Sequence, residues 1–240
     1  MAAVAVWLGA TGVADAVADL SGHPSAMARI VAAWIVGVAL SLVGGLALGY
    51  DLVASLLLAL VTGATLAAWL WVRRARAWTV RRAMLAFWIG IGSLVIVLGT
   101  APLWPETTGG LVERWFREVP FRAVAAQAPE RAALIAGWLL WLGASANAVV
   151  RLVLAVVERD VPPGKEPLKG GRIIGPMERW LIIGLVLAGT ATAAGLVVAA
   201  KGLIRYAEIR GQDIAWKTEY LLIGSLSSWL LALAPVALLA

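Results

Sequence analysis

Long apolar stretches separated by short polar segments dominate the chain. Five of them reach the roughly 20 residues that a helix needs to cross the hydrocarbon core of a bilayer. A sixth also qualifies, although Pro235 should bend its last turns. The six stretches cover 28–49, 52–72, 83–103, 132–157, 180–200 and 219–240. This pattern predicts six membrane-spanning helices.

The first twenty residues form a weaker seventh candidate. Their sequence, MAAVAVWLGATGVADAVADL, is apolar at its start but carries Asp15 and Asp19 in its last turns. It lacks the basic beginning of a secretory signal and retains Met1. We therefore expect an all-α, polytopic transmembrane bundle of about seven helices that forms a single domain over 1–240.

The composition supports a membrane protein. Hydrophobic residues make up 62% of the 240 residues and charged residues 14%, whereas apolar residues make up about 45–50% of a typical soluble domain. A soluble core of this size does not need that excess, so part of it must face lipid. The chain has no cysteine and one histidine, His23, which excludes thiolate chemistry and histidine-clustered metal sites. We expect neither a metal nor a cofactor.

The arginine-rich segment VRRARAWTVRR (72–82) sets the predicted orientation. Lys and Arg accumulate in cytoplasmic loops, so alternation places the N-terminus outside and the C-terminus inside. We expect this segment to contact anionic lipid headgroups rather than nucleic acid. The arginines concerned are Arg73, Arg74, Arg76, Arg81 and Arg82. Because arginine, alanine and glycine suggest a GC-rich bacterial genome, the expected location is the bacterial cytoplasmic membrane.

The segment LVERWFREV (111–119) is predicted to form a short amphipathic helix. Its apolar and charged residues fall on opposite faces, and Glu113 precedes Arg117 by four residues, which is the favourable order. Pro120 should end it. Nine residues cannot span a bilayer, so we expect this helix to lie in the outer interface or cap the bundle. A lid over an outward-facing cavity is the alternative.

Small residues at intervals of four predict close packing of three helices, because small side chains let backbones approach in a membrane. The three ridges are Gly37, Ser41, Gly45 and Gly49; Gly184, Ala188 and Thr192; and Gly224, Ser228 and Ala232. We expect them to pack inside the bundle. The same ridges could instead join two copies of the chain.

Ionisable residues in or beside the spans are costly in a bilayer, so they tend to pair and to face protein or water. The candidates are Asn147, Arg151, Glu178 and Arg179 on the inner side and Lys201, Arg205, Glu208, Glu219 and Tyr220 on the outer side. Arg151 is expected to pair with Glu178. Glu219 is expected to return beside Lys201 or Arg205 across a short loop. These pairs either only fix the helix ends or form a polar cavity for an anionic group.

Three segments in the last third resemble the C-terminal region of a family of bacterial integral membrane proteins of unknown function. They are GRIIGPMERW (171–180), AAKGLIRYAEI (199–209) and EYLLIGSLSSWLLAL (219–233), within about 70 residues. The matching positions are Gly171, Arg172, Gly175, Glu178, Arg179, Lys201, Arg205, Glu219, Tyr220 and Gly224. The resemblance implies a membrane location and no assigned activity.

The sequence disfavours an enzyme without excluding one. It lacks a Gly-rich phosphate loop, His-x-x-x-His and Gly-x-Ser-x-Gly, although an intramembrane enzyme built on Asp, Glu, Lys and Arg stays open. The first expectation is binding or transport of a small molecule, ion or lipid in a charged pocket between the last two helices. The alternative is an accessory or scaffold subunit that docks through its small-residue ridges and through two cytoplasmic loops, RRARAWTVRR (73–82) and the loop at 158–175. Asp15 and Asp19 either lie in the interface or carry protons or cations.

Overall fold

The computed structural model describes residues 1–19, 26–73, 80–107, 109–120, 128–157, 171–210 and 215–236. All regular structure in these ranges is helical. The α-helices are α1 (Ala2–Ala18), α2 (Ala26–Leu48), α3 (Leu52–Arg73), α4 (Val80–Thr100), α5 (Leu111–Glu118), α6 (Pro129–Gly143), α7 (Ser145–Val157), α8 (Gly171–Leu187), α9 (Ala191–Arg210) and α10 (Ala215–Leu233), and a 3-10 turn covers Ala101–Leu103. The predicted all-α class is confirmed.

The described residues contain fewer candidate spans than the sequence predicts. Three helical stretches are long and apolar enough to cross a membrane, namely Met27–Leu48, Leu52–Arg73 and Met84–Leu103. The count becomes four if Pro129–Gly143 and Ser145–Ala155 form one broken span. The prediction of about seven transmembrane helices is therefore not confirmed.

The contacts divide the chain into two compact units, which we describe separately. Unit 1 comprises 1–77 and 85–145, and unit 2 comprises 78–84 and 146–240. The assignment of 1–240 to a single domain stays a prediction.

The N-terminal helix, which is the weakest candidate by sequence, forms the centre of unit 1. It packs against α6, α2 and α3, and twelve of its seventeen residues are buried. Neighbouring backbones come close at glycines: a Cβ on Gly12 would lie 2.6 Å from the carbonyl carbon of Leu140, and one on Gly137 would lie 2.5 Å from the carbonyl oxygen of Ala5. A helix that other helices surround needs no strongly one-sided apolar face.

The small-residue ridge of α2 packs against α3 inside unit 1. A Cβ added to Gly37 would clash with α3, and one added to Gly45 would lie 2.9 Å from the hydroxyl oxygen of Ser55. Between these two contacts, the hydroxyl groups of Ser41 and Thr62 form a buried hydrogen bond of 2.9 Å. The expectation of internal packing is confirmed for this ridge.

Helix α5 confirms the predicted short helix at 111–119, with its last helical residue one position earlier. The guanidinium of Arg117 donates a 2.7 Å hydrogen bond to Glu113, which also accepts one of 2.7 Å from the backbone N–H of Gly109. Phe116 is buried, and the helix packs on α2 and α6. Helix α5 thus covers one end of unit 1, and its position in a membrane interface stays a prediction.

The predicted span at 180–200 is not one helix, because the chain reverses within it. Helix α8 ends, a short turn follows, and α9 runs back alongside α8. Gly189 has a φ of +75°, and its N–H donates to the carbonyl of Val186 at 2.9 Å. The N–H of Thr190 donates to the carbonyl of Leu185, also at 2.9 Å. This pair of hydrogen bonds around a left-handed glycine is the Schellman motif that ends helices.

Helix α8 also begins earlier than the sequence indicates. Its first residue is Gly171, so 171–175 is helical and does not belong to the loop predicted at 158–175. The rest of that loop, 158–170, lies outside the described residues. Gly175 therefore lies on α8, one turn before Arg179.

Unit 2 has an apolar cluster near the turn between α8 and α9. Ile182, Ala194 and Ala232, one from each of α8, α9 and α10, are buried together there. Small residues of α10 pack internally as expected: Gly224 lies against α7, and Ala232 belongs to the cluster. Internal packing is wrong for the ridge on α8: Gly184 has open space around it, Ala188 and Thr192 are exposed, and the turn separates Gly184 from Thr192.

Candidate functional site

Four helices of unit 2 contribute polar side chains to a single layer. Arg179 of α8 is only 1% exposed. Its guanidinium donates to Oδ1 of Asn147 on α7 at 2.6 Å and to Oγ of Ser228 on α10 at 2.9 Å. The preceding residue, Glu178, forms an ion pair with Lys201 of α9. We refer to these five residues as the polar layer.

The turn at Gly189 creates this layer. In one continuous helix, Glu178 and Lys201 would lie about 35 Å apart at 1.5 Å per residue. The reversal folds α9 back, so two positions at nearly equal sequence distance from the turn come into contact. Successive residues of a helix point about 100° apart, which lets Glu178 meet α9 while Arg179 meets α7 and α10.

Gly175 provides the space in which the guanidinium lies. A Cβ at this position would be 3.2 Å from Nη1 of Arg179 and 3.4 Å from Oδ1 of Asn147. The first of these distances is shorter than an ordinary van der Waals contact. A glycine here therefore allows Arg179 to fold against its own helix and still reach α7.

Lys201 is the accessible cation of the polar layer. Its side chain is 16% exposed and that of Glu178 is 18% exposed. Its ammonium nitrogen lies 5.8 Å from the centre of the Trp229 ring, which is within the range of a cation–π interaction. An incoming anion could thus reach Lys201 while the buried guanidinium of Arg179 stays in place.

Along α8 and α9, exposed apolar side chains flank the polar layer on both sides and form an apolar band, whereas on α7 Arg151 is exposed one turn from Asn147. On the side of the turn, Leu181 and Leu196 are exposed, and on the opposite side Met177 and Leu203 are exposed. Ionisable groups with apolar surface on both sides are costly in a bilayer, and they tend to mark ligand or ion sites. The band is thus compatible with a charged layer at membrane depth.

The structure brings together four of the nine candidates from the sequence: Asn147, Glu178, Arg179 and Lys201. The predicted pair between Lys201 and Glu219 is wrong, because Lys201 binds Glu178 of the preceding helix and Glu219 is exposed near the start of α10. The alternative pair between Arg205 and Glu219 stays a prediction. Since Glu178 and Lys201 touch, their predicted placement on opposite sides of the membrane is wrong as well.

The other candidates are not assigned to the layer. Arg151 is exposed on α7, and Tyr220 is half-buried on α10; the predicted pair between Arg151 and Glu178 stays a prediction. The side chains of Arg205 and Glu208 lie outside the described part of the chain.

Sequence reasoning missed Ser228 and Trp229 as members of the site. The spacing of small residues on α10 predicts only a packing role for Ser228, although its hydroxyl accepts a hydrogen bond from the buried guanidinium of Arg179. A hydroxyl on an apolar helix is a usual partner for a buried polar group. The signal in the sequence is the neighbouring pair of a hydroxyl residue and an aromatic residue, Ser228 and Trp229, which offers one partner for each cation of the site.

A second charged cluster lies at the end of α1 in unit 1. Asp15 is 1% exposed and accepts hydrogen bonds from the indole N–H of Trp69, at 3.0 and 3.2 Å to its two oxygens. It also pairs with Arg73, whose second nitrogen lies 2.9 Å from Asp19. The carboxylates expected in the interface thus hold α1 to α3. Contact of Arg73 with lipid headgroups stays a prediction.

The fold defines an all-helical protein with several helices long and apolar enough to cross a membrane. No family model matches the chain, and no match was found among curated proteins or solved structures. The resemblance of the last third to an uncharacterised family therefore stays a prediction. Among the residues that the structure describes, no group of three or more His, Cys, Asp or Glu side chains could hold a metal.

Proposed function

We propose that this chain is an integral membrane protein that binds, and in doing so transports or presents, a small anion or anionic lipid headgroup at the polar layer. One observation carries the proposal: Arg179, Lys201 and Glu178 lie in one layer within an apolar band. Two cations and one carboxylate give these three side chains a net charge of +1. That charge favours an anionic ligand over a cation.

The cations of the layer have different roles in this proposal. Lys201 contacts the ligand, because it is partly exposed and its ammonium offers three donors. Arg179 is a positioning residue that adds positive charge, since Asn147 and Ser228 already hold its guanidinium.

The proposed location is the bacterial cytoplasmic membrane, with the C-terminus in the cytoplasm. The arginine-rich segment 72–82 supports that orientation through the positive-inside rule. Arg81 is exposed at the start of α4, where it could contact anionic headgroups. Protease protection of a C-terminal tag in inverted and right-side-out vesicles tests the orientation.

The binding proposal is tested by titrating the protein with inorganic phosphate in nanodiscs of zwitterionic phosphatidylcholine. Because the chain has 13 tryptophans, the part of the change in tryptophan fluorescence that is lost in Trp229→Phe reports binding near Trp229. We expect saturable binding that weakens about tenfold or more in Lys201→Gln, because a hydrogen bond to a charged group contributes about 1.5–3 kcal/mol. Arg114→Gln removes one exposed positive charge from α5 and should bind like the wild type. Absence of saturable binding, or equal weakening in both variants, would contradict the proposal.

The alternative function is an accessory or scaffold subunit of a larger membrane complex. It is favoured by the open face of α9, where a Cβ added to Gly195 or Gly202 would meet nothing within 4 Å and Ala199 is exposed between them. Such a face suits a second transmembrane helix. Native mass spectrometry from lipid would support this function if a bound polypeptide is lost in Gly195→Leu. A wild-type protein that is released alone would contradict it.

A further inference from the structure

We infer that Glu178 is an internal competitor at the anion site: it occupies Lys201 in the ligand-free protein, and an oxyanion binds by displacing it. The inference rests on the proposed function and adds the ligand class and the mode of entry. Glu178 itself supplies the chemical clue. The group that neutralises Lys201 is a carboxylate, so the position accepts a compact oxyanion such as a carboxylate or a phosphate.

The contacts of Glu178 indicate that it can be exchanged. Among the described side chains, Lys201 is its one hydrogen-bond donor, and the side chain is partly exposed. Asp15 of unit 1 provides the contrast, because it is buried and accepts hydrogen bonds from both Trp69 and Arg73. Displacement would cost Glu178 a single hydrogen-bond donor at a partly exposed position, whereas Asp15 would lose several donors in a buried place.

The charges of the layer also favour displacement by a monoanion. With Glu178 as the only anion, the layer holds a net charge of +1. A bound monoanion brings the layer to neutrality, because Arg179 stays fixed by Asn147 and Ser228 and still contributes its positive charge. The ligand is therefore attracted by two cations although it contacts one of them.

The test compares phosphate binding by variants of Glu178 in the full-length protein in phosphatidylcholine nanodiscs. Glu178→Gln should bind inorganic phosphate about tenfold more tightly than the wild type, which corresponds to a competitor that occupies Lys201 about nine-tenths of the time. Glu178→Asp keeps the charge on a shorter side chain and should also bind more tightly, by a smaller factor. Glu106→Gln removes an exposed carboxylate elsewhere and should not change the affinity.

A second arm distinguishes a free anion from a lipid headgroup. Nanodiscs with increasing phosphatidylglycerol and without phosphate should show the same order of variants if the natural oxyanion belongs to a lipid. If the natural oxyanion is a free molecule, this order of affinities among the variants appears with inorganic phosphate but not with phosphatidylglycerol. Tightening in either arm supports the inference.

Three results have separate meanings. Glu178→Gln binding no tighter than the wild type overturns the competitor role while leaving the anion site intact. Tighter binding in Glu178→Gln with no change in Glu178→Asp also overturns it, because only the charge would then matter. If the wild type and both variants bind neither phosphate nor phosphatidylglycerol, the proposed function itself fails. Should Glu178→Gln not fold, the comparison of Glu178→Asp with the wild type decides.

Discussion

Adding one methyl group at Gly12 tests whether α1 is the centre of unit 1. A Cβ there would lie 2.6 Å from the carbonyl carbon of Leu140 and 2.7 Å from the backbone nitrogen of Trp141. The closest ordinary contact is 3.4 Å, so α1 and α6 would have to separate by about 0.8 Å at this point. Backbone atoms cannot rotate out of the way as the tip of a side chain can.

The magnitude follows from two opposing effects. Overpacking a close contact costs about 1–3 kcal/mol, while replacing glycine by alanine in a helix contributes about 1 kcal/mol of stabilisation. The net expectation for Gly12→Ala is a free energy of unfolding lower by up to about 2 kcal/mol, and lower by about 1–3 kcal/mol than that of a glycine-to-alanine variant without the close contact. The loss of stability should affect all of unit 1, because α1 also packs against α2 and α3.

The assay is thermal unfolding in detergent micelles, followed by circular dichroism. Gly92→Ala in α4 is the matched control, since an added Cβ there would meet nothing within 4 Å. We expect this control to be unchanged or stabilised by up to about 1 kcal/mol. If Gly12→Ala were as stable as Gly92→Ala, the close approach of α1 and α6 would be refuted.

Two further substitutions probe the charged clusters by the same unfolding assay. Asp15→Asn should lower the free energy of unfolding by about 1–3 kcal/mol, because Trp69 and Arg73 lose a charged acceptor while Asp19 still pairs with Arg73; a change below about 0.5 kcal/mol would count against a structural pair. Gly175→Val should cost about 2 kcal/mol by displacing Arg179, whereas Gly184→Val, in open space on the same helix, should be neutral. Equal stability of the two valine variants would argue against the tight fit of the guanidinium.

The long spans could be predicted from the sequence because their signal is uniform. Helices α2, α3 and α4 follow the predicted apolar stretches with ends that differ by a few residues. Each is a run of more than 20 residues bounded by polar segments. Over such a length the summed hydropathy outweighs the effect of any single polar residue within the run. The short helix α5 was also predictable, since its charged and apolar residues separate cleanly.

The turn at 188–190 could not be predicted from hydropathy. The stretch at 180–200 is apolar throughout, and a single glycine in a left-handed conformation reverses the chain. Gly189 followed by Thr190 was the available signal, but small residues there also fit a packing ridge. The central position of α1 could not be predicted for the opposite reason. Its two aspartates suggest an exposed helix end, and only the fold shows that Arg73 is their partner.

Part of the candidate site could be predicted because its polar residues interrupt apolar sequence. Asn147, Glu178, Arg179 and Lys201 stand out because polar groups are costly in apolar sequence. Their partners depend on the direction of the chain after Leu187, which the sequence did not reveal. A hydroxyl group in an apolar helix costs little free energy, so hydropathy does not mark Ser228 on α10 as a partner of Arg179.

The distance between spin labels on α8 and α9 tests most directly whether the polar layer exists. The chain has no cysteine, so Met177→Cys and Leu203→Cys, both at exposed positions, give two unique labelling sites. In one continuous helix these residues would be about 39 Å apart. The hairpin places the two helix axes about 10 Å apart, so double electron–electron resonance in lipid nanodiscs should give a distance below about 25 Å. A distribution centred near 40 Å would show a straight span, and the pair between Glu178 and Lys201 could not form.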